Sequence, residues 1–356
     1  MRRRNVIILV VALVVAVAAI ATLVLLRRGA PPEAARLLPA ADGYIYIDLE
    51  PLRAAGLFKN IVNPDPDYAQ FVSDTGFQFE RDLDEAAFAV HLPPAADLSD
   101  SKTPPETRYS EVFVGRFDHA KLAAYLSKTA ESSRPYGKTI IYSIPLPGRT
   151  VRVAVLSKSM VAASNADSDF VIRSIVDRYG ESFGAGSELL RRYYRNVPLA
   201  SVAWAIARTA STGQPGNSQF VLPGGFELFF PSDTVIVAAV RYVGSVQFRG
   251  AAITRTQDDA QRVSDQLNAY LALARAVEIR AQGGAADPDL KAFFDSISVS
   301  QTENRAQLNA TIPPGFVKKL VNESPALPMT GAAPAPEQEK KKTAPQSRRH
   351  RGKGKK

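Results

Sequence analysis

Residues 111–118 read Glu-Val-Phe-Val-Gly-Arg-Phe-Asp. Apolar β-branched and aromatic residues are frequent in the first seven positions, which predicts a strand. Asp118 ends the run and is a favourable N-cap, because its carboxylate can accept a hydrogen bond from the free backbone N–H groups of a helix. The segment after it predicts that helix, with these apolar side chains on one face: Leu122, Tyr125 and Leu126.

The alternation of strands and capped helices continues toward the middle of the chain. Residues 139–144 and 151–156 predict the two strands of a hairpin, because Pro145-Leu146-Pro147-Gly148 separates them. Residues 160–163 predict a further strand. Asn165 is then predicted to cap a helix whose inward side chains are Phe170, Val171, Ile175 and Val176.

The second half of the chain follows the same order of elements. Strands are predicted over 199–207, 226–230, 234–242 and 245–253. Residues 256–259 (Thr-Gln-Asp-Asp) resemble a capping box with Asp in place of Glu, and they begin a helix predicted to run to about residue 280. A shorter helix over 287–296 and strands over 297–301 and 305–312 complete this half.

Both halves contain a strand, a capped helix and a hairpin in that order. Ala124-Tyr125-Leu126 and Ala269-Tyr270-Leu271 lie at corresponding positions of the two helices. The sequence therefore predicts an α+β fold in which two related halves, residues 37–185 and 186–322, each form a mostly antiparallel sheet with packed helices.

The N-terminal segment predicts a membrane anchor. The run from Val6 to Leu26 is 21 residues long and carries no charge. As a helix it would span about 31 Å, roughly the thickness of a bilayer core. A cleaved signal peptide is the alternative, but the run exceeds a signal h-region, and Arg27-Arg28 follow it where a small-residue cleavage site would lie.

The anchor also predicts where the protein resides. Basic N-terminal residues before an apolar run are typical of export signals, and the positive-inside bias slightly favours a cytoplasmic N-terminus. We therefore expect a single-pass protein of the inner (cytoplasmic) membrane, with residues 1–28 as the anchor and residues 29–36 as a linker. The folded domain is expected outside the cytoplasm, and the lipid bilayer is the expected partner of residues 6–26.

The positive net charge of +9 is concentrated at the two ends of the chain. Residues 1–28 hold five arginines and no acid, and residues 337–356 hold nine basic and two acidic residues. The remainder therefore has 30 basic and 33 acidic residues, a net charge of −3. Such a domain gives no general reason to expect nucleic-acid binding.

Residues 323–356 predict a disordered tail, because Pro, Ala, Lys and Arg dominate and few apolar residues could be buried. The tail is expected to contact anionic lipid or an envelope polymer, or else only to promote solubility. Specific nucleic-acid binding is disfavoured because no aromatic residue follows Pro325 to stack on bases. The predicted polyanion contacts are Lys340, Lys341, Lys342, Arg348, Arg349 and Arg351.

The start of the domain resembles a known family. Leu38-Pro39-Ala40, then residues 44–49 (Tyr-Ile-Tyr-Ile-Asp-Leu) and Leu52, are similar to the domain opening of an uncharacterised bacterial family of membrane-anchored proteins. The resemblance implies a repeated α+β extracytoplasmic domain. It brings no catalytic residues with it.

No motif in the chain indicates a catalytic or cofactor site. His91 and His119 are the histidines of the domain, and neither has a second His or a Cys at metal-ligand spacing. Gly137-Lys138-Thr139 lacks the first glycine of a phosphate-binding loop and leads into a β-type run, which favours a turn. We therefore expect no metal and no cofactor.

One basic and aromatic cluster stands out in the domain, over residues 189–195 (Leu-Leu-Arg-Arg-Tyr-Tyr-Arg). It predicts an amphipathic helix that joins the two halves and buries Leu190 and Tyr194, or else a helix that rests on the membrane surface.

The expected function is that of a non-enzymatic, membrane-tethered binding domain. Its ligand would be a protein, an envelope polymer or an apolar molecule bound between the two halves. An extracytoplasmic hydrolase using His91 or His119 is one alternative. A structural envelope protein with a polyanion-binding tail is the other.

Overall fold

The computed structural model describes residues 30–56, 65–92, 107–181, 186–209, 217–221, 227–281 and 288–315. The predicted anchor from Val6 to Leu26 and the predicted tail from residue 323 lie outside these ranges. Within them, no helix combines the length and the apolar character that crossing a membrane requires. All of the described residues belong to one compact unit.

The described part of the chain contains fourteen strands and nine α-helices. The strands are β1 (Gly43–Asp48), β2 (Leu83–His91), β3 (Arg108–Gly115), β4 (Ser132–Tyr136), β5 (Thr139–Leu146), β6 (Arg149–Ser157), β7 (Met160–Ser164), β8 (Ser201–Arg208), β9 (Asn217–Val221), β10 (Glu227–Pro231), β11 (Val235–Tyr242), β12 (Val246–Ile253), β13 (Ser298–Thr302) and β14 (Arg305–Ile312). The helices are α1 (Glu33–Leu37), α2 (Glu50–Ala54), α3 (Pro66–Thr75), α4 (Phe79–Asp82), α5 (His119–Thr129), α6 (Phe170–Gly180), α7 (Glu188–Tyr193), α8 (Gln257–Ala281) and α9 (Pro288–Ser296), and a 3₁₀ turn (Tyr194–Asn196) follows α7.

Twelve of the described strands form one antiparallel sheet, in the order β13-β14-β12-β11-β8-β1-β2-β3-β7-β6-β5-β4. β9 and β10 form a separate two-stranded ribbon. Outward from the centre, the first arm reads β1-β2-β3-β7-β6-β5-β4 and the second arm reads β8-β11-β12-β14-β13. In the first arm, α5 follows the third strand, β3, and the last strand in chain order, β7, pairs with β3. In the second arm, α8 follows the third strand, β12, and the last strand in chain order, β14, pairs with β12.

The α+β class and the antiparallel pairing are confirmed, but the expected pair of separate sheets is replaced by one sheet. The reason is that β1 pairs with β8, so the central strands of the two arms share a hydrogen-bonded ladder. Tyr46 lies opposite Trp204 in that ladder, and their rings stack with centroids 5.4 Å apart. A cleft between two separate sheets is therefore absent from the described residues.

Both faces of the sheet are covered by helices. On one face, α1, α6 and α7 contribute to a buried cluster that spans the centre of the sheet. Ile172 and Ile175 of α6 are fully buried there, and each is expected to contribute about 1.5 to 3 kcal/mol. On the opposite face, α5 packs on the first arm and α8 packs on the second arm.

Two predicted helix caps are confirmed. The Asp118 carboxylate accepts hydrogen bonds from the backbone N–H groups of Ala120 and Lys121, each at 3.1 Å. The Thr256 hydroxyl accepts from the backbone N–H of Asp259 at 3.1 Å and donates to its carboxylate at 2.7 Å. The Asp259 carboxylate therefore bonds to the hydroxyl of Thr256, whereas the Glu of the usual capping box bonds to the backbone N–H of the capping residue.

The predicted cap at Asn165 is wrong. Helix α6 begins at Phe170, and the Asn165 side-chain oxygen instead accepts a hydrogen bond from the backbone N–H of Tyr109 at 2.6 Å. This bond extends the pairing with β3 one residue beyond the end of β7, since Tyr109 lies within β3. The later start also turns Phe170 outward, and 72% of its surface is exposed.

Glu111 is a partly buried carboxyl on β3, opposite Phe88 of β2 and Ala163 of β7. Burial raises the pKa of Glu111, and the charge of Arg149 offsets part of that rise. A raised pKa in the folded state means that the protonated carboxyl favours folding. The contribution of the Glu111 carboxyl to stability is complete below the pKa of Glu in the unfolded chain, about 4.3. It is lost as pH rises through the pKa of Glu111 in the folded state.

Replacing Glu111 by Gln is therefore expected to raise the free energy of unfolding relative to the native protein, by more at pH 8 than at pH 4.5. The neutral amide has the size of the carboxyl and carries no charge to desolvate. Urea unfolding of both proteins at the two pH values measures the difference. The same substitution at the exposed Glu131 should show no such pH dependence, and an equal pH-independent effect at both positions would contradict the prediction.

Candidate functional site

A cavity of about 630 Å³ lies at one end of the second arm, where the 3₁₀ turn after α7 approaches the sheet. We call it the arginine pocket, because five arginines line it: Arg192, Arg195, Arg208, Arg255 and Arg305. Asp233 is the one acidic residue among the lining residues that the structure describes. Five arginines against one aspartate give the lining a formal charge of +4.

Antiparallel pairing brings three of these arginines to the same end of the sheet. Arg208 is the last residue of β8 and lies opposite Val235, the first residue of β11. Val235 in turn lies opposite Ile253, the last residue of β12, which lies opposite Arg305 at the start of β14. Arg255 follows β12 by two residues.

Helix α7 provides Arg192, and the 3₁₀ turn that follows it provides Arg195. The Ser187 hydroxyl caps the helix by accepting a hydrogen bond from the backbone N–H of Leu190 at 3.2 Å. Leu190 is fully buried and Leu189 is nearly so, which fixes the rotation of the helix on the sheet. Arg192 and Arg195 are three residues apart, so they project from the same side of this segment into the pocket.

Aromatic rings hold the arginine-bearing segment in place. Tyr194 packs edge-on against Trp204 of β8, with ring centroids 5.3 Å apart. Burial raises the pKa of the Tyr194 phenol, so this side chain stays neutral. The guanidinium of Arg192 lies 5.6 Å from the centroid of the Tyr193 ring, a favourable cation–π distance.

The arginines of the pocket differ in their partners. Arg255 forms an ion pair with Asp233, whose backbone adopts a left-handed conformation with φ of +59°. Arg305 donates a hydrogen bond to the Asn196 side-chain oxygen at 2.5 Å. Within the ranges that the structure describes, the other three have no carboxylate partner: Arg192, Arg195 and Arg208.

This arrangement suits the binding of an oxyanion. Each guanidinium presents a planar set of N–H donors that matches the oxygens of a phosphate or a carboxylate. Guanidinium groups without a carboxylate partner can form those bonds without first breaking an internal ion pair. Converging positive charge also raises the local concentration of anions around the pocket.

The predicted segment over residues 189–195 contributes directly to this site. Its interpretation as an amphipathic helix is confirmed, because Leu190 is fully buried and Tyr194 is partly buried in the central cluster. The contact with a membrane surface stays a prediction. Gly137 lies in the turn between β4 and β5 with φ of +59°, so the segment around it is a turn, as predicted.

The two histidines lie apart from the arginine pocket. His91 ends β2, and its Nε2 atom lies 3.0 Å from the Ser110 hydroxyl, which in turn lies 3.2 Å from the Ser164 hydroxyl. Burial lowers the pKa of His91. Ser110 is fully buried, so its hydroxyl cannot reach an external substrate. His119 is an exposed residue at the start of α5.

The remaining predicted contact residues lie outside the described ranges. These are the anchor ends Val6 and Leu26 and the tail residues Lys340, Lys341, Lys342, Arg348, Arg349 and Arg351. Three acidic residues of the domain have local structural roles: Asp65 caps α3, Asp82 pairs with Arg81, and Asp84 pairs with Arg53.

The sequence prediction missed three members of the pocket: Arg208, Arg255 and Arg305. All three stand at or just beyond the ends of strands that were predicted. Only the order of strands in the sheet reveals that these ends meet. A search for arginines at strand ends, combined with antiparallel pairing of the strands, would have found the site.

No family model matches the chain, and no curated protein matches it. Among solved structures, crystal form I of TP0453, a protein of Treponema, is 9% identical with a TM-score of 0.41. The match covers 83% of this chain and 97% of that one. Crystal form III of TP0453 is 7% identical with a TM-score of 0.40, covering 82% of this chain and 97% of that one.

Proposed function

We propose that this chain is a membrane-tethered, non-enzymatic binding domain whose arginine pocket binds a ligand that carries an oxyanion. The observation that carries the proposal is the convergence of five arginines with one aspartate around a cavity of about 630 Å³. The domain as a whole has a net charge of −3, so this convergence is local and does not follow from the overall composition.

The residue type supports the same ligand class. Arginine is fully charged at any physiological pH and offers five N–H donors in a fixed plane. Placing several such groups together is unfavourable without an anion, because like charges repel each other. A bound oxyanion would offset that repulsion, and its oxygens would accept hydrogen bonds from the free N–H donors.

Replacing Arg192 by Gln is expected to weaken the binding of tripolyphosphate by about tenfold, because a hydrogen bond to a charged group contributes about 1.5 to 3 kcal/mol. Isothermal titration calorimetry of the full chain in a neutral detergent measures the affinity. Arg191→Gln is the matched control, since Arg191 precedes Arg192 on α7 and is absent from the pocket lining. Equal affinities of the two variants would contradict the proposal.

The tether is the second part of the proposal. We expect the full-length chain to stay in the membrane pellet after extraction with alkaline carbonate, because 21 uncharged residues from Val6 to Leu26 would be buried in lipid. Replacing Val14 and Val17 by Arg is the control and should release the protein, since each arginine costs about 2.5 to 3.5 kcal/mol at a helix centre. Release of the unmodified chain would disprove the anchor.

A hydrolase is the competing function, and the hydrogen bond between His91 and Ser110 is the observation that favours it. A serine nucleophile must reach its substrate, but Ser110 is fully buried and its hydroxyl belongs to a chain of bonds inside the sheet. We therefore propose a structural role for His91. The structural envelope protein with a polyanion-binding tail remains the third proposal.

The order of strands supports a common origin of the two arms. Each arm has three adjacent strands, a helix on the same face of the sheet, and a final strand beside the third. Tyr125 of α5 and Tyr270 of α8 are both partly buried against the sheet at corresponding positions. We infer that the arms are related halves, with β4 and β5 as an addition to the first.

A further inference from the structure

A second cavity lies on the same face of the second arm as the arginine pocket. It has a volume of about 250 Å³, and Arg241 and Arg249 line it together with Asn309. Side chains on one face of a strand alternate with those on the other. Ile253 and Arg249 of β12 therefore share a face, as do Arg305 and Asn309 of β14.

The two cavities are connected by polar side chains on β14. Arg305 lines the arginine pocket, Asn309 lines the second cavity, and Gln307 lies between them on the same face. Gln307 accepts a hydrogen bond from Arg249 at 2.6 Å and donates one to Asn309 at 3.1 Å. Four residues along a strand separate the two ends of this row, which is about 13 Å.

The surface formed in this way is positively charged along its length. Strands β11, β12 and β14 contain no aspartate or glutamate. Their three arginines occupy the face that lines the cavities: Arg241, Arg249 and Arg305. Together with the other arginines of the pocket, they form what we call the arginine track. A single small anion would fill only one end of it.

We propose that the arginine track binds a linear polymer that carries repeated phosphate groups, with one end in the arginine pocket and the chain continuing to Arg249 and Arg241. This inference rests on the proposed function of the pocket and extends it. Phosphate fits the pocket better than carboxylate, because a terminal phosphate offers three acceptor oxygens and up to two negative charges to the five guanidiniums, whereas a carboxylate offers two oxygens and one charge.

The test compares a short and a long ligand on the full chain in neutral detergent. Tripolyphosphate is the short ligand, and long-chain polyphosphate is the long one. All variants carry Gln at Lys340, Lys341, Lys342, Arg348, Arg349 and Arg351, so the tail cannot contribute. Affinity is measured by isothermal titration calorimetry at two salt concentrations, because contacts between charges weaken as salt increases.

The double variant Arg241→Gln with Arg249→Gln should weaken the binding of the long ligand by about tenfold or more, because each substitution removes hydrogen bonds to a charged group. The same variant should bind the short ligand with unchanged affinity. The double variant Arg192→Gln with Arg305→Gln should lower the affinity for both ligands. The control variant Arg134→Gln with Arg191→Gln removes two positive charges outside the track. It should change the affinity for neither ligand.

The outcomes separate the two proposals. If Arg192→Gln with Arg305→Gln leaves the short ligand unaffected, the pocket itself is not the site and both proposals fail. If the short ligand depends on the pocket but the long one binds no more tightly, only the track is overturned. Equal binding of polyglutamate would overturn the choice of phosphate. If only the binding of anionic vesicles depends on Arg241 and Arg249, this face of the sheet contacts a membrane surface and the polymer proposal is overturned.

Discussion

Replacing Trp204 by Ala is expected to lower the free energy of unfolding by about 3 to 5 kcal/mol, the usual cost of removing a buried Trp or Phe side chain. Trp204 is 3% exposed and contacts Tyr46 of β1 and Tyr194 beside α7. The substitution leaves a cavity where the two arms meet. Because Trp204 is the chain's one tryptophan, urea unfolding should be followed by circular dichroism.

Phe170→Ala is the matched control for that prediction. Phe170 is a large aromatic residue with 72% of its surface exposed, so its removal should change stability by less than about 0.5 kcal/mol. A loss of similar size in both variants would show that the stacking at the junction of the arms is not a principal source of stability.

Replacing Gly115 by Ala is expected to lower the free energy of unfolding by about 3 kcal/mol, which is near the upper end of the effects of overpacking a tightly packed site. A Cβ atom at Gly115 would lie 2.5 Å from the carbonyl oxygen of Asp82 and 3.2 Å from the Cα atom of Leu83. Both are backbone atoms of the segment that pairs with β3, so they cannot rotate away. The free energy of unfolding in urea measures the loss.

Gly180→Ala provides the opposite expectation for the same chemical change. A Cβ atom there meets nothing within 4 Å among the described residues, and Gly180 is the last residue of α6. Alanine in a helix is more favourable than glycine by about 0.5 to 1 kcal/mol. The prediction for Gly115 is wrong if the two variants have the same stability.

Local patterns in the sequence predicted the elements well, because they depend on residues that are close in the chain. Asp118 caps α5 as expected, since its carboxylate needs only the N–H groups two and three residues later. The failure at Asn165 has the opposite origin. Its side chain bonds to Tyr109, which is 56 residues away, and no local pattern reveals such a competing partner.

The arrangement of the elements depended on long-range pairing and was less predictable. Residues 43–49 (Gly-Tyr-Ile-Tyr-Ile-Asp-Leu) are rich in strand-forming residues, but nothing in them specifies β8 as a partner. The same limit applies to the arginine pocket, where Arg192 and Arg195 were visible as a basic cluster. Arg208 and Arg305 became part of a site only once β8, β11, β12 and β14 were known to be adjacent.

The pairing of β1 with β8 has a consequence for how the chain folds. β1 comprises residues 43–48 and β8 residues 201–208, so this ladder closes only after most of the domain has been synthesised. Pairings between distant residues form slowly. Until β8 arrives, β1 presents an open hydrogen-bonding edge that another copy of the chain could occupy. Closure of this ladder therefore covers the edge of β1, and the open edge passes to β8 until β11 pairs with it.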